Sequence, residues 1–194
     1  MRPYYIDHRP LGWRSQQNGI HRDAILRVLQ SVQTLETHDS ARDTTEAPSA
    51  ELQAIHNRLD LLVTMVSQLC AHQMGAQRPQ AQPLLFHSDG ILWPAGTLEA
   101  GRGQLELYLH DVLPEPLRLD AQLTIIPDEE AGQSDVAELA EVFREAYPHV
   151  GALAAVSWDI DDPEVRDAIT RQVFRHHRRS LARRQSTNTA PPSS

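Results

Sequence analysis

Residues 51–74, ELQAIHNRLDLLVTMVSQLCAHQM, constrain this chain more than any other stretch. Leu52, Ile55, Leu59, Leu62, Val66 and Leu69 recur at steps of 3, 4, 3, 4 and 3. With Leu52 as position a, the a-positions are Leu52, Leu59 and Val66 and the d-positions Ile55, Leu62 and Leu69, a heptad seam. Ser49 stands where a helix N-cap is wanted and Gly75 supplies a stop. The neighbouring Leu61, Val63 and Met65 are also apolar, so the stripe is wider than a two-stranded coiled coil requires. A helix of about 25 residues is roughly 37 Å long, more than a small domain easily covers. The expectation is a homo-oligomer joined through Leu52, Ile55, Leu59, Leu62, Val66 and Leu69; four helices bury a wide stripe better than two, which favours a tetramer over a dimer, although two chains each giving a hairpin of both predicted helices would also supply four. The competing reading is one long amphipathic helix lying on its own chain.

A second helical period precedes it. Ile25, Val28, Val32 and Leu35 alternate steps of three and four, which predicts a helix over about 20–37. Residues 38–49 contain no large apolar side chain and read as a linker, so that 17–76 forms a helical oligomerisation region. The first 16 residues, polar and broken by Pro3 and Pro10, read as a tail. After residue 80 the period becomes that of strands. LLFHS, GILWP, QLELYLH, PLRLDAQLTII and GALAAVSW are separated by turn material at Asp89-Gly90, 94–103 (including Gly101-Arg102-Gly103) and 114–116. In QLELYLH, Leu105, Leu107 and Leu109 face one way and Glu106, Tyr108 and His110 the other. A helix over about 134–146, capped by Ser134, interrupts the strands. A last helix over about 162–184 starts with Asp162 as N-cap, Pro163 in the first turn and Glu164 at the favourable dipole end. Val165, Ile169, Val173 and Phe174 form its apolar side, and 186–194 read as a disordered tail. The fold class expected is α+β: a small antiparallel β-barrel over 80–185, with N-terminal heptad helices and a C-terminal helix.

Composition removes several chemistries. All 18 basic residues are arginine, so Schiff-base and P-loop lysine mechanisms are excluded. One cysteine, Cys70, cannot form an internal disulfide or a cysteine metal cluster, and its place in the heptad run makes it a structural thiol. The ten histidines lack metal-ligand spacing, so no metal or cofactor is expected. No set of residues can be assigned acid, base and nucleophile roles, which points away from an enzyme. No apolar run is long enough to cross a bilayer and the start lacks a secretion signal, so a cytoplasmic protein is expected. The net charge of −8 weighs against nucleic acid. Arg171, Arg175, Arg178, Arg179, Arg183 and Arg184 make the one strong cluster of charge. It reads either as a solvated helix end or as a site for a phosphate-bearing ligand or an acidic partner.

GALAAVSWDIDDPEVRDAITRQVFRHHRRSLARR resembles the end of a bacterial PilZ domain: a last strand, an Asp-rich corner, then a helix with an apolar–aromatic pair and basic residues. LLFHSDGILW resembles the family's early strand pair and PLRLDAQLTII its long middle strand. The heptad helix resembles those of PilZ variants that oligomerise through added helices. The resemblance implies a barrel and a role in cyclic di-GMP signalling, through an R-x-x-x-R motif before the first strand and a D/N-x-S-x-x-G motif on it. This chain departs from both. Just before the strand stands one arginine, Arg78, with no second arginine four residues away; with Gly90 aligned to the motif glycine, His87 stands where Ser belongs, Leu85 where Asp or Asn belongs, and Ser88 is one place out. The positions that remain for a cyclic di-GMP site are Arg175, Arg178, Arg179, His87, Ser88 and Gly90. The departure argues against tight binding and for a self-associating scaffold or adaptor in bacterial signalling, motility or type IV pilus regulation, acting through a protein partner. The alternatives are a cyclic di-GMP receptor using the C-terminal arginines and a nucleic-acid binder using the same helix.

Overall fold

The computed structural model of the chain describes residues 3–16, 19, 21–44, 55, 58–59, 61–66, 69, 78–128, 136–158 and 160–188. The elements in order are β1 (Tyr4–Arg14), α1 (Arg22–Thr44), β2 (Ala81–His87), β3 (Gly90–Pro94), β4 (Gly101–Leu107), β5 (Leu117–Ile126), α2 (Ala137–Ala146), β6 (Leu153–Trp158) and α3 (Pro163–Asn188). The strands close into a barrel in the order β1-β2-β3-β6-β5-β4, every neighbouring pair antiparallel.

The expected tail is instead the strand that closes this barrel. β1 divides its pairing: Tyr4 to Pro10 lie against β2, and Leu11 to Arg14 against β4. Pro10, which lacks an N–H, falls where one partner hands over to the other, a place a proline can occupy without breaking a ladder. The proline that reads as a breaker in sequence is therefore tolerated by position.

Two apolar clusters explain the strand sequences. Leu84, Phe86, Ile91, Trp93, Leu105, Leu107, Leu119 and Leu123 fill the barrel, and Ile25, Val28, Leu29 and Val32 of α1 with Val165, Ile169 and Val173 of α3 pack into the same core. Leu85, Leu92, Leu153 and Ala155 face the other way, onto Leu139, Ala140 and Phe143 of α2. Strands β2, β3 and β6 are buried on both faces, which is why LLF, ILW and LAAV read as continuous apolar runs rather than alternations.

Several boundaries differ from the sequence expectation. α1 runs to Thr44, through the first residues of the expected linker. Gly101-Arg102-Gly103 opens β4 rather than forming a turn. A Cβ on Gly103 would fall 2.2 Å from the carbonyl oxygen of Arg14 and 2.6 Å from the ring of Trp13, so glycine is set here by the close approach of β1. The strand ends at Leu107, ahead of His110. Glu106, on the alternate face, is buried between Arg118 at 2.9 Å and Arg14 at 3.1 Å. α2 begins at Ala137, with no side-chain cap from Val136; the expected cap, Ser134, lies outside the described residues. α3 continues to Asn188, past the expected end and into the expected tail. Its start is as read: the backbone N–H groups of Glu164 and Val165 donate to Asp162 Oδ1 at 2.9 and 3.1 Å. Phe174 is half exposed rather than part of the core side. Leu52 and Cys70 lie outside the described residues.

Candidate functional site

The sequence-predicted residues fall in three places. The first is the hairpin between β2 and β3. His87 and Gly90 are paired across a two-residue loop, Ser88 and Asp89. Among the described residues no non-glycine takes a positive φ, so this loop has the hand that splays strands apart. It is held from outside. Trp158 donates its indole N–H to the Ser88 carbonyl at 3.1 Å and its backbone N–H to the Asp89 carbonyl at 3.2 Å. The Asp89 N–H donates to Nδ1 of the buried His87 at 3.3 Å. A Cβ on Gly90 would lie 1.9 Å from the Val156 carbonyl oxygen, so this glycine is required by strand packing alone. His87 and Gly90 thus have structural duties, and Ser88 sits at the surface with its hydroxyl 3.2 Å from Asp89 Oδ2.

Arg78, the arginine three residues ahead of β2, is already committed. Its guanidinium donates to the backbone carbonyl of Asp111 at 2.7 Å and to that of Leu113, and lies 5.0 Å over the Tyr108 ring. This clamps the entry to β2 against the loop after β4.

The second place is the junction of α1, α3 and β1. Glu36 of α1 is 8% exposed. It accepts from His176 Nε2 at 2.7 Å, from Gln172 Nε2 at 2.9 Å and from Arg179 at 3.3 Å. Burial pushes its carboxyl up, but the hydrogen bonds of His176 and Gln172 and the charges of His176 and Arg179 more than reverse this, and it rests below the usual carboxylate range. Tyr5 stacks on the His176 ring at 4.5 Å and on Phe86 at 5.3 Å, and burial pushes its phenol well up. His177 meets the Tyr4 carbonyl oxygen at 2.6 Å. Of the candidate arginines, Arg179 serves Glu36, Arg175 donates to Gln172, and Arg178 is exposed. Sequence reasoning missed Glu36: a single acid in a helix carries no local sign of partners 140 residues away.

The third place is the heptad segment. Ile55, Leu59, Leu62, Val66 and Leu69 are helical and, with Leu61, Val63 and Met65, are 45–60% exposed in the single chain. Elsewhere a cavity of about 330 Å³ opens beside Arg14, His21, Glu106 and Arg118. Among the described residues no group of three or more His, Cys, Asp or Glu could hold a metal, and no helix is long and apolar enough to cross a membrane.

Comparison with known proteins places these features in context. The family described as atypical PilZ domain, cyclic di-GMP receptor, matches residues 26–186, a span that begins inside α1 and leaves β1 ahead of it. No curated protein matches the chain. Among solved structures, the fold is similar to that of a pathogenic protein from Xanthomonas campestris, described as a new tetrameric PilZ domain self-assembled via an unusual helical bundle. The TM-score is 0.59 at 18% identity, over 93% of this chain and 91% of that one.

Proposed function

The chain belongs to the atypical PilZ family, and from that premise we propose that it is a non-catalytic scaffold or adaptor of bacterial signalling that assembles with copies of itself through the heptad segment. One observation carries the reading: the large apolar side chains of that segment are about half exposed or more in the single chain. Burying the exposed half of one such side chain is worth about 1 kcal/mol, and eight of them on each protomer give association a strong driving force. The stripe is wide, which favours four helices over two. The solved relative that assembles as a tetramer through a helical bundle is consistent with this count, though the likeness to it is one of fold.

Cyclic di-GMP binding is weak or absent in this reading. Arg78 spends its donors on backbone carbonyls, Arg179 and Arg175 are engaged by Glu36 and Gln172, and His87 and Gly90 hold the hairpin. The rival, a receptor using the C-terminal arginines, requires those contacts to be given up on binding. A place in the cytoplasm and a role in motility or type IV pilus regulation follow from the family resemblance.

The test is mass by light scattering. The wild-type chain is expected to run as an oligomer, and the double variant Leu59→Asp, Leu62→Asp as a monomer with unchanged circular dichroism from the barrel. An unchanged mass would remove the heptad segment from the assembly. Isothermal titration with cyclic di-GMP is expected to give no heat, and micromolar binding would favour the rival.

A further inference from the structure

Outside the heptad segment, exposed large apolar side chains among the described residues occur on one element only: Phe174 at 50% and Leu181 at 44%, both on α3. Seven residues apart, they lie on one face of the helix, separated by roughly 10 Å along its axis. Arg171 and Arg178 flank Phe174 at three and four residues and share that face, both exposed. Beside them a shallow groove of about 570 Å³ is lined by Arg171, Phe174, Arg175 and Thr170 of α3 and by Gln33 of α1. The wall from α1 is uncharged there, and the wall from α3 is cationic. Arg171 has a partner in Asp167 at 2.8 Å. Arg175 donates through one terminal nitrogen to Gln172, while its Nε is buried with no hydrogen-bond partner among the described residues.

A single exposed Phe is ordinary on a protein surface. Here two apolar anchors at helical spacing, interleaved with exposed guanidinium groups, make a recognition strip. We infer that the groove between α1 and α3 docks an acidic amphipathic helix of a partner protein. The helix would set apolar residues at its own i, i+3 or i+4 and i+7 positions on Phe174 and Leu181, with its carboxylates on the exposed Arg171 and Arg178. The anchor spacing fits a helix, and the cations fix the charge of its flanks. A lipid surface or a nucleic acid presents a continuous anionic field that the net charge of −8 opposes at long range. One short helix meets only the local strip, within a Debye length of about 8–10 Å. This inference rests on the adaptor reading and gives its partner a chemistry.

The experiment uses the full-length oligomer and a fluorescein-labelled synthetic helix of about 18 residues, five turns, with Leu at the i, i+3, i+4 and i+7 positions and Glu elsewhere. Its comparators are the same peptide with Lys for Glu, and phosphatidylglycerol vesicles. The acidic peptide is expected to bind by anisotropy and to weaken with salt. Phe174→Ala, or the pair Arg171→Glu with Arg178→Glu, is expected to reduce its affinity by about tenfold or more, the scale of a lost interface anchor. Equal binding of both peptides, or binding indifferent to Phe174→Ala, overturns the inference. Vesicle binding that depends on Phe174, with neither peptide bound, assigns the strip to a membrane instead. Because Phe174 is half exposed, the variant is expected to keep its fold and its light-scattering mass. A lost peptide with mass intact therefore concerns the strip, and a lost mass in the wild-type chain concerns the assembly.

Discussion

At the residue scale the most consequential group is Glu36, which joins α1 to α3 through His176, Gln172 and Arg179. A carboxylate whose folded pKa lies below its unfolded one adds stability that is complete above the unfolded value and is lost as pH falls through the folded value. The Glu36 carboxyl is held down in this way, so its contribution is present at neutral pH and disappears on acidification below the ordinary carboxylate range. Glu36→Ala, which leaves His176 and Arg179 facing an empty site, is expected to cost about 3 kcal/mol at neutral pH, near the low end for a broken buried pair. Arg179 is 40% exposed and can turn to water, which limits the loss. Urea denaturation at neutral pH checks the size, and a gap between variant and wild type that narrows in acid checks the sign. Nothing near residue 36 in the sequence signals this. By contrast Gly90 stands out in sequence, but as a motif glycine. Its actual constraint is the Val156 carbonyl 1.9 Å from where a Cβ would be.

At the element scale, legibility followed local chemistry. The start of α3 was readable because Asp162, Pro163 and Glu164 act within a few residues of one another, and the Asp162 cap is formed. Strand β5 was readable because it alternates, with Leu117, Leu119, Ala121 and Leu123 buried against exposed Arg118, Gln122 and Thr124. β1 was not readable. Its buried side chains are sparse, Tyr5 and Leu11, and two prolines stand in or beside it. What makes it a strand is the pair of open edges on β2 and β4, both far along the chain. Deleting residues 1–14 re-exposes those edges and uncovers Phe86 beneath Tyr5. The truncated chain is expected to lose its cooperative thermal transition and to aggregate. A soluble product that keeps its near-ultraviolet circular dichroism would show that the barrel closes without β1.

At the scale of the whole molecule, the α+β class and the barrel were legible because the change of period near residue 80 separates helical from strand sequence. The number of copies was not. A stripe reports how much apolar surface needs covering, but not how many neighbours cover it. The same mass action that forms an oligomer also raises its melting temperature with concentration, since only the folded state assembles. The wild-type chain is therefore expected to melt higher as it is concentrated, and the Leu59→Asp, Leu62→Asp variant to melt at a fixed temperature. Scanning calorimetry over a hundredfold range of protein concentration, about 3 kcal/mol in association free energy, distinguishes the two.

Chain order gives this arrangement a mechanical side. α1 and the heptad segment leave the barrel after β1 and re-enter it at β2, and these two strands are neighbours in the closed sheet. The segment proposed to assemble is therefore a loop sewn down at both ends, not a tail on a single thread. Its outgoing end is riveted where Glu36 meets α3, and its returning end where Arg78 grips the carbonyls of Asp111 and Leu113. Any load passing between that segment and the barrel would divide over those two rivets, and one of them stands on the same helix as the strip of Phe174 and Leu181.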